Sequence, residues 1–192
     1  MMKLHPLISD LPKNVKDFLK RALFIFIIWK LTYHLLLFPI RVPDRQLTNL
    51  TAYSTTLVYT LLMKNSVAYQ REEIKPPLAK GQNPTKMTVI YVNDKRSVGI
   101  ADGCNGLELY VLYSGFLLCF PFTLVRKITF ILIGIISIFV LNTFRCFGLT
   151  YLFVNDYPFA DFAHHYLFKI VIYAIIFFTW TQYVRPVTRK NF

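Results

Sequence analysis

The chain has 192 residues, 55% of them apolar and 17% aromatic, with a mean hydropathy of +0.43. A soluble fold of this length has too little interior for so much apolar surface, so composition excludes an ordinary soluble domain and points to lipid. The formal charge of +12 flanks apolar runs, where it reads as topology signal and anionic-lipid contact rather than nucleic-acid binding, and three cysteines make no disulfide framework.

A bilayer core needs about 20 mostly apolar residues per helix. The run Arg21–Phe38, bounded by Lys20-Arg21 and Pro39, predicts a first span, and no small-residue cleavage site follows it as after a signal peptide. Lys30 and His34 lie on one face of it, which meets protein or snorkels; with His5 they read as structural. Leu47–Met63 would rise only about 25 Å as a helix. It is rich in threonine and sets Leu47, Leu50, Leu57 and Leu61 on one face. That pattern predicts an amphipathic helix, on the membrane or against the bundle, with a fifth span as the alternative. From Lys64 to Asp102 the chain reads as a polar loop without a core of its own. Within it, Thr88–Val92 and Ser97–Ile100 flank the turn-rich Asn93–Arg96 and predict a short β-hairpin over 88–100. Three further spans follow: Leu107–Phe120, closed by Pro121; Ile128–Leu141, continuing to Phe147; and Tyr166–Val184, ending in Trp180, Tyr183 and Arg185.

The fold class expected is therefore an all-α membrane protein, a bundle of four transmembrane helices with the amphipathic helix and hairpin on the outer side. It forms a single membrane domain over 1–192. The divisions are a cytoplasmic tail (1–20), the first span (21–38), an outer segment (39–103), a helical core (104–184) and a second tail (185–192). Lys3, Lys13, Lys16, Lys20 and Arg21 favour an inside N-terminus, while Arg126-Lys127 and Arg185, Arg189 and Lys190 favour inside for the loop and tail. Four spans satisfy all three assignments. The basic residues of 39–103 lie far enough from the helix ends to count less.

That topology brings three reactive side chains to one membrane face. Cys104 is expected at the start of the second span, Arg145 at the end of the third, and His164 with His165 at the start of the last. Helix-start N–H groups favour a thiolate at Cys104, and Gly103 and Gly106 let a substrate backbone approach. An imidazole can shuttle the thiol proton and a guanidinium can stabilise an oxyanion. Asn142, one turn before Arg145, is placed to orient it, and Glu108 is placed to pair with Arg145 or Lys169. Cys119 and Cys146 read as packing. Asp161, His164 and His165 lack the HExxH spacing of a zinc hydrolase, so no metal site is assigned.

Taken together, Cys104-Asn-Gly-Leu107 opening an apolar helix, Asn142-Thr-Phe-Arg145 closing another and Asp161-Phe-Ala-His164-His165 opening the last resemble the exosortase/archaeosortase family, over roughly 85–184. The resemblance implies a membrane-embedded cysteine endopeptidase or transpeptidase of the bacterial cytoplasmic (inner) membrane, multi-pass, with its site facing the periplasm. It implies that Cys104, Arg145 and His164 are catalytic, that catalysis passes through a thioester acyl-enzyme, and that no cofactor is needed. The partners it implies are exported proteins with a C-terminal sorting signal, made of a short motif, an apolar helix and a basic tail. Water, or an outer-surface amine or glycolipid acceptor, would release the product. Two departures stand out. The family's usual Cys-Ser-Gly is Cys-Asn-Gly, and its glycine four residues after the histidine is Phe168, followed by Lys169, which leaves His165 as an alternative base. The rival readings are a non-enzymatic accessory protein in envelope polysaccharide or protein export and, last, a lipid- or polyprenyl-phosphate enzyme, which would need clustered carboxylates for Mg²⁺ that the sequence lacks.

Overall fold

The computed structural model describes residues 12–75 and 85–190; the readings that fall on Lys3, His5 and the segment 76–84 lie outside the described residues. The apolar runs form five helices. Helix α1 (Lys13–Thr32) continues through a wide π turn (Tyr33–Leu37) into Phe38–Ile40, and α2 spans Asp44–Leu62. After the sheet come α3 (Leu107–Cys119), α4 (Leu124–Val154) and α5, which begins at Ala160–Phe162, passes through a second π turn at Ala163–Leu167 and runs on over Phe168–Lys190. Residues Leu124–Val154 and Ala160–Arg185 are long and apolar enough to cross a membrane, and few of their residues are buried, so their apolar surface faces outward; α3 is apolar but shorter.

Arg21 and Arg126 mark one end of the bundle. Arg21 donates to the carbonyl of Cys119 (3.3 Å) and Arg126 to that of Tyr183 (2.9 Å), so the start of α1, the end of α3, the start of α4 and the end of α5 meet there. The opposite end carries a sheet, and the all-α expectation gives way to a mostly helical fold with three antiparallel strands in the order β1 (Ala68–Lys75), β2 (Thr85–Val92), β3 (Lys95–Ile100). The hairpin turns on Asn93 and Asp94 alone, at φ +49° and +65°, the left-handed pair that a two-residue turn requires. Strand β1 lies where the sequence reads as loop. Its residues have no apolar face, and pairing holds it: Tyr69 stacks on Tyr91 with ring centres 5.3 Å apart, and Glu73 bonds Tyr91 and Arg96. Nor is the sheet without a core. Ile90, Val92 and Ile100 pack with Ala52 and Tyr59 of α2 and Cys146 of α4.

Helix α2 packs against the bundle by its polar face. Asp44, Thr48, Thr51, Thr55 and Thr56 are buried, while Leu50, Leu57 and Leu61 are about half exposed or more. Short hydroxyl side chains permit close approach to α4, and the leucines face outward as they would toward lipid. Helix α4 also runs seven residues past the predicted end at Phe147. Its extra turns support the sheet: Ser97 of β3 donates to the carbonyl of Thr150, and Tyr151 and Val154 pack against the cluster that holds Ile90 and Ile100.

A second core joins α3, α4 and α5 through Tyr113, Leu117, Ile138, Ile172, Ile176 and Tyr183. It depends on Gly134 of α4, where a Cβ would collide with the Tyr113 ring, and the Tyr113 hydroxyl donates to the carbonyl of Phe130 (2.9 Å). Gly134→Ala should therefore overpack this core and cost about 1–3 kcal/mol. Gly115→Ala, whose Cβ would meet only Ile25 at 3.4 Å, should be nearly neutral. Unfolding of the two variants in detergent micelles checks the difference.

Candidate active site

Buried Ile100 ends β3 in the core, and the chain turns at once through a 3-10 turn, Asp102–Cys104, closed by the Cys104 N–H on the carbonyl of Ala101 (2.8 Å). Two anchors fix that turn. Asp102 accepts from Arg41 at 2.6 and 2.8 Å and from the Thr48 hydroxyl at 3.1 Å. Asn105, 1% exposed, donates to the Asp44 carboxylate (2.9 Å) and to the Asp44 carbonyl (3.2 Å), and its own oxygen accepts the Leu107 N–H at 2.8 Å. The second carboxylate oxygen of Asp44 accepts from the Tyr33 hydroxyl (3.0 Å). Gly106 then enters α3 at φ +88°, a left-handed conformation suited to glycine.

Cys104 thus stands ahead of the first helical residue rather than opening the helix, and Asn105 already occupies one of the N–H groups expected to favour its thiolate. Arg145 is corrected as well. It lies nine residues before the end of α4, inside the helix, because the extra turns rise under the sheet. Asn142, 1% exposed, accepts from the Arg145 guanidinium (3.4 Å) and donates to the Cys104 carbonyl (3.2 Å), so one amide ties the cysteine turn to the arginine. His164 and His165 sit in the π turn of α5, ring to ring at 4.9 Å. A π turn adds one residue to a helical turn and is frequent where side chains must be aimed for function. Half-buried His164 keeps a buried Nδ1 with no hydrogen-bond partner among the described residues. Exposed His165 sets its Nδ1 3.0 Å from the Asp161 carbonyl. Phe168 rests its ring on Gly148 of α4, where a Cβ would come within 2.9 Å, so α4 gives up volume for this bulky residue.

Cys104, Arg145, His164 and His165 line one cavity of about 360 Å³, together with Asn142, Gly106, Glu108 and Lys169, and with Trp29, Lys30 and Tyr33 of α1. Glu108 makes no ion pair with Arg145 or Lys169 among the described residues, contrary to expectation. It lines this cavity and a neighbouring groove, and Lys30 borders both. Lys30, read from the sequence as structural, also lines the cavity. Cys119, bonded to the Gly115 carbonyl at 3.1 Å, and Cys146, in the core beneath the sheet, are both buried.

The residues the sequence did not single out are Arg41, Asp44, Thr48, Asp102 and Asn105. Their signal was available: Asp44, Thr48, Thr51 and Thr55 recur at helical spacing on one face of α2. A polar stripe in an otherwise lipid-compatible helix needs a polar partner inside the protein.

Residues 17–181 match the family described as transmembrane exosortase (Exosortase_EpsH). No curated protein and no solved structure matches the chain.

Asn105→Ala should leave the Asp44 carboxylate and the Leu107 N–H without their buried partner, at a cost of about 1–3 kcal/mol. Gly103→Ala, whose Cβ would meet nothing within 4 Å, should leave stability unchanged. Thermal unfolding, with maleimide labelling of Cys104 as a report on the turn, checks both.

Proposed function

Because the chain belongs to the transmembrane exosortase family, we propose that it is a membrane-embedded cysteine endopeptidase or transpeptidase acting on C-terminal sorting signals of exported proteins, as the family implies. The observation that carries this reading is the single cavity bordered by a thiol, two imidazoles and a guanidinium drawn from separate elements. We read α1, α3, α4 and α5 as spans of a bacterial cytoplasmic membrane. The end bearing Arg21, Arg126 and Arg185 lies inside by the positive-inside rule, and the sheet and cavity face the periplasm.

In this mechanism His164 takes the proton of Cys104, and the sulfur attacks the scissile carbonyl. The oxyanion that forms is stabilised by Arg145, a contribution of about 3 kcal/mol if it acts as one oxyanion-hole donor. Collapse breaks the C–N bond, the departing amine leaves with the proton from His164, and a thioester remains on Cys104. Water, or an amine at the outer surface, attacks the thioester and loses its proton to His164; the thiolate leaves and recovers a proton. Asn142 holds Arg145 and the Cys104 carbonyl in one frame throughout. Half-buried His164, with an unpartnered Nδ1, is better placed to exchange protons with a buried reactant than exposed His165.

Cys104→Ala should abolish processing of a co-expressed signal-bearing protein, read as the mass of its mature C-terminus, while leaving membrane insertion unchanged. Cys119→Ser should process normally. Arg145→Ala should slow processing about 10²–10³-fold, and His164→Ala should lose more activity than His165→Ala. Processing that continues without Cys104 would remove the nucleophile and leave a non-enzymatic role.

A further inference from the structure

Cys146 is a buried thiol that the peptide chemistry leaves unused. It is 3% exposed and belongs to the cluster of Ala52, Tyr59, Ile90, Val92 and Ile100. Cys104 borders the catalytic cavity and also packs against this same cluster. Two further observations bring the cysteines together. Asn142 donates to the Cys104 carbonyl at 3.2 Å, and Cys146 follows it on the same face of α4, one helical turn or about 6 Å away. Cys104 also lies within electrostatic reach of the Cys146 sulfur. Both thiols are free. Cys119 stands apart, since the length of α3 (Leu107–Cys119) separates it from Cys104.

The two thiols differ in access. Half-buried Cys104 opens to a cavity of about 360 Å³, so a small oxidant meets it before covered Cys146. An accessible reactive thiol climbs from sulfenic to irreversible sulfinic acid unless a second thiol intercepts the sulfenic acid. The periplasm, to which the cavity was assigned, is an oxidising compartment.

We propose that Cys146 is the resolving cysteine for Cys104, and that a peroxide converts the pair into a reversible disulfide that suspends the site. The Cys104 thiolate attacks the peroxide O–O bond, the sulfur gives up an electron pair to become a sulfenic acid, and hydroxide leaves. The Cys146 sulfur then attacks that of Cys104, the S–O bond breaks, and the departing oxygen and the hydroxide become water with the protons of the two thiols. One peroxide is thus reduced by two thiols, and a dithiol reductant reverses the bond by exchange. That the disulfide suspends an activity rests on the reading of Cys104 as the nucleophile; that it forms does not.

Full-length Cys119→Ser protein in micelles keeps only Cys104 and Cys146, and trypsin sites at Arg126 and Arg145 place them on separate peptides. After hydrogen peroxide treatment, alkylation and digestion without reduction, mass spectrometry should find those peptides joined within one chain. Dithiothreitol should separate them and restore maleimide labelling of Cys104. With Cys146→Ala added, prolonged peroxide should leave Cys104 as sulfinic acid, and labelling should no longer return. Before oxidation that variant should label Cys104 at the parent's rate, which shows the cysteine turn intact; should it misfold, the crosslink in the parent still decides. Cys104 carried to sulfinic acid while Cys146 stays free, Cys104 of two copies joined to each other, or full recovery of labelling in the folded Cys146→Ala variant would each overturn the proposal. Continued processing by Cys104→Ala would instead remove the peptidase reading and leave the crosslink in place.

Discussion

The position of Cys104 depends on one buried amide. Asn105 shares its nitrogen between the carboxylate and carbonyl of Asp44 and gives its oxygen to the backbone of Leu107, which binds the start of α2 to the start of α3. The polar groups it satisfies lie away from water, so each lost bond would cost the desolvation of a stranded partner rather than the modest net value of a hydrogen bond. Arg41 and Thr48 on Asp102 fix the other end of the turn. Cys104 is therefore held on both sides by side chains that take no part in the chemistry assigned to it. An asparagine suits this tether because its amide carries two N–H donors and an acceptor oxygen on one side chain.

The same economy explains why α2 is inverted relative to a soluble amphipathic helix. In water its leucines would be buried and its threonines exposed; here Thr48, Thr51 and Thr55 are buried, Thr48 against Asp102 and Asn105, while Leu50, Leu57 and Leu61 face outward. When the surroundings are as apolar as leucine, burying leucine yields little, and small polar residues that allow close approach and hydrogen bonding become the contact face. The buried threonines thus connect a lipid-compatible exterior to a hydrogen-bonded interior, and the site sits where that interior meets the sheet.

Much of this was legible in the chain. Four apolar runs and the hairpin correspond to elements of the fold, although α1 begins eight residues before Arg21 and α4 ends seven after Phe147; Cys104, Arg145 and His164, which line one cavity, stood out because an ionisable or nucleophilic group in an apolar run needs a reason to be there. What was not legible was held by partners distant in sequence. Strand β1 has no pattern of its own, since its order comes from Tyr91 and Arg96 across the sheet. The depth of Arg145 in α4 was hidden because apolar composition continues past Phe147, and only the sheet reveals that those turns have something to support. The surroundings of Glu108 were ambiguous for a related reason: helical spacing places it one turn after Cys104 but does not say that Lys30 of α1 borders the same two spaces.

Helix α1 joins the two ends of the bundle. It touches α3 through Phe18 on Phe116 and Phe120, through Arg21 on the Cys119 carbonyl, and by the approach of Ile25 to Gly115, and buries none of its own residues. Its upper end is nevertheless bound to the site, since the Tyr33 hydroxyl donates to the same Asp44 that holds Asn105. Elements with few buried contacts open at the lowest free energy, and those around a binding site are drawn from that class. A wall of the cavity is thus tied at both ends, by Arg21 to the Cys119 carbonyl and by Tyr33 to Asp44 beside the cysteine turn, with no buried residue between them. The cysteine turn is held chiefly from α2, by Asp44 and Thr48, so the position of the sulfur and the packing of α1 on α3 rest on different contacts.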